Sequence, residues 1–166
     1  MNNSAAPLRV LVDTTFLLPT LGIDVGKRSN SALKKLAEIN ADIYYSRFSV
    51  LESLWIAARY VENSTFNLDR FSHGLRSIMD GGRYRILDEG SEIFSEATRF
   101  YKLGHVDMID NILYASSIHF GLRFLTVDRK LGDFAANNSL ELTFLLVDDL
   151  LKHRSTPVGD HSEAKF

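Results

Sequence analysis

The chain has no cysteine among its 166 residues, so neither a disulfide framework nor a thiolate metal site is open to it. Proline occurs at only three positions, which leaves long stretches free to run as uninterrupted helices and strands. Net charge is also small, a formal −2 from 19 basic and 21 acidic residues, which excludes a protein that coats nucleic acid through bulk basicity. No apolar run approaches the roughly 18 residues of a membrane span. Met1 to Pro7 lacks the charged and apolar regions of a secretion signal, so a soluble, cytoplasmic protein with no membrane partner is expected. Walker phosphate loops, dinucleotide glycine fingerprints and nucleophile elbows are missing too. The histidines His73, His105, His119, His153 and His161 show no HExxH spacing, which argues against zinc hydrolysis, and His105, beside Asp107, reads either as a substrate contact or, more plainly, as a solvated loop residue.

What is present is an apolar fraction of 45%, enough for one globular domain over residues 1–154, followed by a polar tail, 155–166, that carries Pro157 and Gly159. The stretch Leu8 to Val12 is a continuous apolar run around Arg9, with apolar residues on both sides of the pleat. Such a strand is covered on both faces, as in the middle of a parallel sheet. It ends on Asp13, followed by Thr14 and Thr15. Asp13 is either a helix cap or a residue of the crevice that open α/β sheets form at the carboxyl ends of their strands.

Strand and helix patterns then alternate. A helix is expected from a cap at Ser29 or Asn30 to Asn40, a strand over Asp42 to Tyr45, and a helix capped by Ser46 whose apolar stripe is Phe48, Leu51, Trp55 and Ala58. Asn67 to Met79 is the next helix, Tyr84 to Leu87 a strand, and Ser91 to Leu103 a helix with Ile93, Phe94, Ala97, Phe100 and Tyr101 inward. A helix over Asp107 to Phe120 leads to the strand Arg123 to Val127, which again ends on an acid, Asp128. A short helix over 131–137, a strand over 142–147 and a last turn over 148–153 complete an α/β protein. It reads as a three-layer α/β/α domain on a central parallel sheet of about five strands.

All parallel strands share one carboxyl edge, so Asp13 and Asp128 arrive at the same place. The helix beginning near Asp107 and Asp110 starts there, as does the helix carrying Glu52. Uncompensated, such a cluster repels itself and raises its own pKa values, and one or two hard divalent cations, Mg²⁺ or Mn²⁺, explain it best. Asp107 reads either as the N-cap of its helix or as a further metal contact; Glu52 reads either as a ligand or as an acid paired with Arg47 or Arg59.

The segments VDTTFLL (12–18), SRFSVLESL (46–54), DNILYASSIHFG (110–121) and FLTVD (124–128) resemble, in order and relative position, the blocks of PIN-domain nucleases, which include VapC-type toxins. The resemblance runs from Leu8 to about Leu150. It implies a metal-dependent endoribonuclease with Asp13, Glu52, Asp110 and Asp128 at the acidic positions and Thr126 as a supporting hydroxyl. Thr15 stands where the family usually has asparagine or serine and can still offer a hydroxyl. A homodimer and, for a toxin, a small antitoxin partner are implied as well. The alternatives are an RNA-processing nuclease without antitoxin and a non-catalytic module that binds RNA or protein. Among the basic residues, Arg129, directly after Asp128, and Arg47 are the candidate RNA phosphate contacts. Phe48, Trp55, Tyr60, Phe66 and Phe71 form a candidate docking face, with core packing as the plainer reading.

Overall fold

A computed structural model describes residues 6–62 and 66–152. The first strand, β1 (Arg9–Val12), buries Val10 and Val12 on one side and Leu11 on the other, and all three are fully inaccessible. A 3-10 turn (Thr14–Phe16) leads to α1 (Lys27–Glu38), β2 (Asp42–Tyr45), α2 (Arg47–Val61), α3 (Leu68–Met79) and β3 (Tyr84–Ile86). The second half comprises α4 (Ser91–Lys102), α5 (Met108–His119), β4 (Arg123–Leu125), α6 (Arg129–Asn137), β5 (Phe144–Leu145) and α7 (Val147–Lys152).

Every strand pairing is parallel, in the order β3-β2-β1-β4-β5. The α/β, three-layer reading with five strands therefore holds. Val10, Val12, Ile43 and Leu125 pack with α1, α3 and α7 on one face, while Leu11 and Phe124 pack with α4, α5 and α6 on the other. Successive residues of β1 thus serve opposite cores, as the period of two requires. Because β2 and β4 flank β1, the chain reverses its direction of travel across the sheet between β1 and β4, and the two loops that diverge there open a crevice.

Several boundaries follow chemistry that the sequence pattern understated. The first helix starts after Gly26, whose φ of 89° suits glycine, and not from a Ser29 or Asn30 cap. Asn40, at φ 51°, ends the helical region as expected, and Ser46 caps α2 by accepting from the Phe48 amide. The inward stripe expected on α2 is corrected. The helix buries Ser49, Ser53 and Ala57, leaving Leu51, Trp55 and Ala58 exposed and Phe48 half-buried. Ser53 returns its hydroxyl to the Ser49 carbonyl at 2.8 Å, which satisfies it within the helix, whereas the buried Ser49 hydroxyl has no partner among the described residues. On α4, Ile93, Ala97 and Phe100 are inward, whereas Phe94 and Tyr101 are exposed, because an i, i+4, i+7 stripe already fills the sheet-facing side. Gly74 of α3 meets the backbone of the loop after the 3-10 turn so closely that a Cβ there would lie 2.3 Å from the Thr20 carbonyl oxygen. The tail 155–166, His153 and His161 lie outside the described residues.

Candidate active site

The crevice between β1 and β4 is closed at its base by backbone pairing that continues past the strands, with the Asp13 amide donating to the Leu125 carbonyl at 3.0 Å. Asp13 stands at the cap position of the 3-10 turn, but its side chain makes no cap hydrogen bond. It accepts instead, through Oδ2, from the hydroxyl of fully buried Thr126 at 3.0 Å. The same hydroxyl accepts from the Asp128 amide at 3.0 Å, so one oxygen ties the acid after β1 to the loop after β4.

Asp13 is only 7% exposed, and burial is the chief reason its pKa is pushed up to about 6. The Thr126 hydrogen bond pulls it down, the charge of Glu52 raises it, and the nearby Thr14 and Thr15 amides lower it. Glu52, half-buried on α2, accepts from the Thr14 hydroxyl. Thr14, which the sequence pattern did not single out, therefore gives the hydroxyl that reaches Glu52, while Thr15 acts on Asp13 through its backbone. Neither Arg47 nor Arg59 forms an ion pair with Glu52 among the described residues.

Asp110, in the first turn of α5, is the most perturbed acid. Burial, followed by the charges of Asp13, Asp107, Asp128 and Glu52, pushes it up to about 8. All the other acids expected at this edge therefore lie close enough to act on Asp110. Asp107 is the N-cap of α5, its Oδ1 accepting from the amides of Ile109 and Asp110 at 3.0 and 3.1 Å. Asp128 is a cap as well, which the sequence reading of a helix starting at Leu131 had not anticipated. Its Oδ1 accepts from the Lys130 and Leu131 amides at 2.7 and 3.4 Å, so α6 begins two residues earlier. In each case the second oxygen is free to face another group.

His105 also belongs to this constellation. One donor atom from each of His105, Asp110 and Asp128 lies within 4.8 Å of the other two, a spacing that a single ion can bridge. The plainer sequence reading of His105 is a solvated loop residue; its position two residues before the Asp107 cap is the signal that points instead to the crevice. The donors, carboxylate oxygens with one imidazole, fit a divalent cation, and Asp13 and Asp110 are raised chiefly by burial and further by neighbouring acids, both of which a bound cation would offset.

The basic candidates divide. Arg28 pairs with Asp148, Arg85 pairs with Asp42, and Arg83 donates to the Ala41 carbonyl. Arg129 is exposed and, among the described residues, free of ion pairs. It lines both a cleft of about 140 Å³ beside Thr126 and a wider one of about 530 Å³ beside Asp128. Arg47 is exposed at the start of α2, where its charge acts on Tyr45 and Glu89 and does not figure among those acting on Asp13 or Asp110.

A parallel α/β/α sheet with acids from β1, α2, α5 and β4 gathered at its switch point defines the class: a doubly wound domain with an acidic crevice. Residues 10–137 match the PIN domain model, and the chain belongs to the PIN domain family. The fold is similar to that in VapBC2 from Rickettsia felis bound to a promoter DNA fragment, at TM-score 0.59 and 12% identity, covering 84% of this chain and 98% of that one. It is also similar to VapC20 of Mycobacterium tuberculosis, a sarcin-ricin loop cleaving toxin, at TM-score 0.57 and 17% identity, with 77% and 94% covered. A third is FitAcB from Neisseria gonorrhoeae, at TM-score 0.52 and 18% identity, with 80% and 95% covered. No curated protein matches the sequence.

Proposed function

We propose that the chain is a divalent-metal-dependent endoribonuclease that hydrolyses RNA phosphodiester bonds. The observation that carries the reading is the convergence of acids from four separate segments on one crevice, where Asp13, Asp107, Asp128 and Glu52 all act on half-buried Asp110. Asp13, Asp110 and Asp128, with Glu52 completing the set, hold Mg²⁺ or Mn²⁺, and Asp107 contributes through its free oxygen. Such a cation offsets charge on a phosphodiester and acidifies water for attack. Thr126 keeps Asp13 oriented and favours its charged form, and Thr14 fixes Glu52. Thr15 supports Asp13 through its amide. Arg129 contacts a flanking phosphate, with Arg47 further along the RNA path.

Likeness of fold to VapC-type and FitAB-type proteins and to a toxin-antitoxin complex supports a toxin role with a small antitoxin as partner. The exposed apolar run Leu51, Leu54, Trp55 and Val61 on α2 supports docking of a second copy or of that antitoxin. The test incubates the full chain with pooled RNA in Mg²⁺ or Mn²⁺ and sequences the products. Replacing Asp13→Asn should abolish cleavage, and undiminished cutting by that variant overturns the assignment.

A further inference from the structure

We infer that His105 is a nitrogen ligand of the same cation site, acting beside Asp110 and Asp128 and tilting the site towards Mn²⁺ over Mg²⁺. The inference rests on the metal-dependent reading above.

It starts from Asn111, which is fully buried and therefore needs partners for both ends of its amide. Its nitrogen donates to the His105 carbonyl at 2.7 Å, which fixes which way the amide faces. The amide oxygen consequently meets His105 Nδ1 at 2.8 Å. A carbonyl oxygen can only accept, so Nδ1 must carry a hydrogen. In the neutral ring this leaves the lone pair on Nε2. The ring cannot turn freely. Phe134 of α6 packs against it with centroids 5.2 Å apart, and the His105 amide is anchored on the Phe100 carbonyl at 3.2 Å.

A histidine whose Nδ1–H is held by a protein carbonyl while its other nitrogen is bare is the arrangement metal-binding imidazoles adopt, because the second partner fixes both tautomer and direction. Here it occurs on a residue with a donor atom within 4.8 Å of two carboxylates. A purely structural latch between the α4–α5 loop and α5 would explain the two hydrogen bonds but not the approach to Asp110 and Asp128. An all-oxygen set suits Mg²⁺, whereas imidazole is the softer ligand and favours transition ions.

The experiment uses the full chain loaded with Mn²⁺ and reads electron spin echo modulation from ¹⁴N. Wild-type protein should show an imidazole coupling that His105→Gln removes. By calorimetry the same variant should lose about tenfold in Mn²⁺ affinity, with a smaller change for Mg²⁺. Mn²⁺ bound without nitrogen coupling overturns the inference and leaves the acidic site intact. Coupling that survives in His105→Gln overturns it too, since another histidine is then responsible. Failure of the wild-type chain to bind Mn²⁺ at all overturns both this inference and the metal-dependent reading beneath it.

Discussion

Replacing Asp110→Asn should stabilise the metal-free protein at neutral and alkaline pH while disabling the site. In the folded chain burial and four neighbouring acids raise this carboxyl from 3.8 to about 8. Between those values the folded state retains a proton that the unfolded chain has released, so ν_U is smaller than ν_N and unfolding free energy falls as pH rises. Displacement over that range corresponds at full weight to roughly 6 kcal/mol. Asp110 keeps part of its surface in water and shares its repulsion with Asp13, Asp107, Asp128 and Glu52, so we expect about half of that. Urea denaturation in EDTA, followed by circular dichroism, measures the difference. Wild type and variant should nearly coincide near about pH 4 and diverge by ~2–3 kcal/mol at about pH 9, the variant being the more stable. Saturating Mn²⁺ should reverse the order, because only the wild type gains the full binding energy. Equal stability of the two proteins at alkaline pH without metal would refute the claim that burial and neighbouring acids disfavour the charged form of Asp110 in the fold.

Other expectations follow from single contacts. Asp128→Asn preserves an N-cap whereas Asp128→Ala does not, so thermal melts of the metal-free forms should place the alanine variant about 1 kcal/mol lower, even though both lose the charge. Thr126→Val should weaken Mn²⁺ binding and raise the Asp13 pKa further, read by NMR titration of the carboxyl carbon, because the hydrogen bond favouring its charged form is gone. Gly74→Ala should destabilise the fold by ~2–3 kcal/mol in chemical denaturation, since the new methyl meets backbone that cannot swing aside. Leu54→Lys with Trp55→Glu should leave folding intact and lower the apparent mass in light scattering if α2 carries a subunit interface.

The architecture was legible wherever one residue type decides a local conformation. Asp42 to Tyr45 forms the second strand as read, Ser46 and Asn67 are caps with side-chain hydrogen bonds, and Gly104 and Gly121 follow their helices at positive φ. Periodicity failed on α2. There Leu51 and Trp55 point outward while Ser49, Ser53 and Ala57 are buried, so the inward face is lined by small side chains and not by the most apolar ones. The gathering of the acids at one edge was readable because parallel strands must share that edge. What one dimension could not reveal was the division of labour between adjacent hydroxyls, with Thr14 reaching Glu52, or the folding of the loop before α5 that brings His105 to Asp128.

The two capping acids bear on how the proposed cation site would behave when empty. Asp107 and Asp128 each hold one oxygen on the amides of a helix, so their rotamers are set by α5 and α6 whether or not anything sits between them. An ion arriving in the crevice therefore does not have to freeze these side chains, a cost of roughly 0.5–1.5 kcal/mol for each one otherwise mobile. Exchange of one cation for another should proceed without rearrangement of the crevice walls. Crystals soaked free of metal should keep both aspartates in place, with Glu52, suspended from one threonine hydroxyl, the first acid to move.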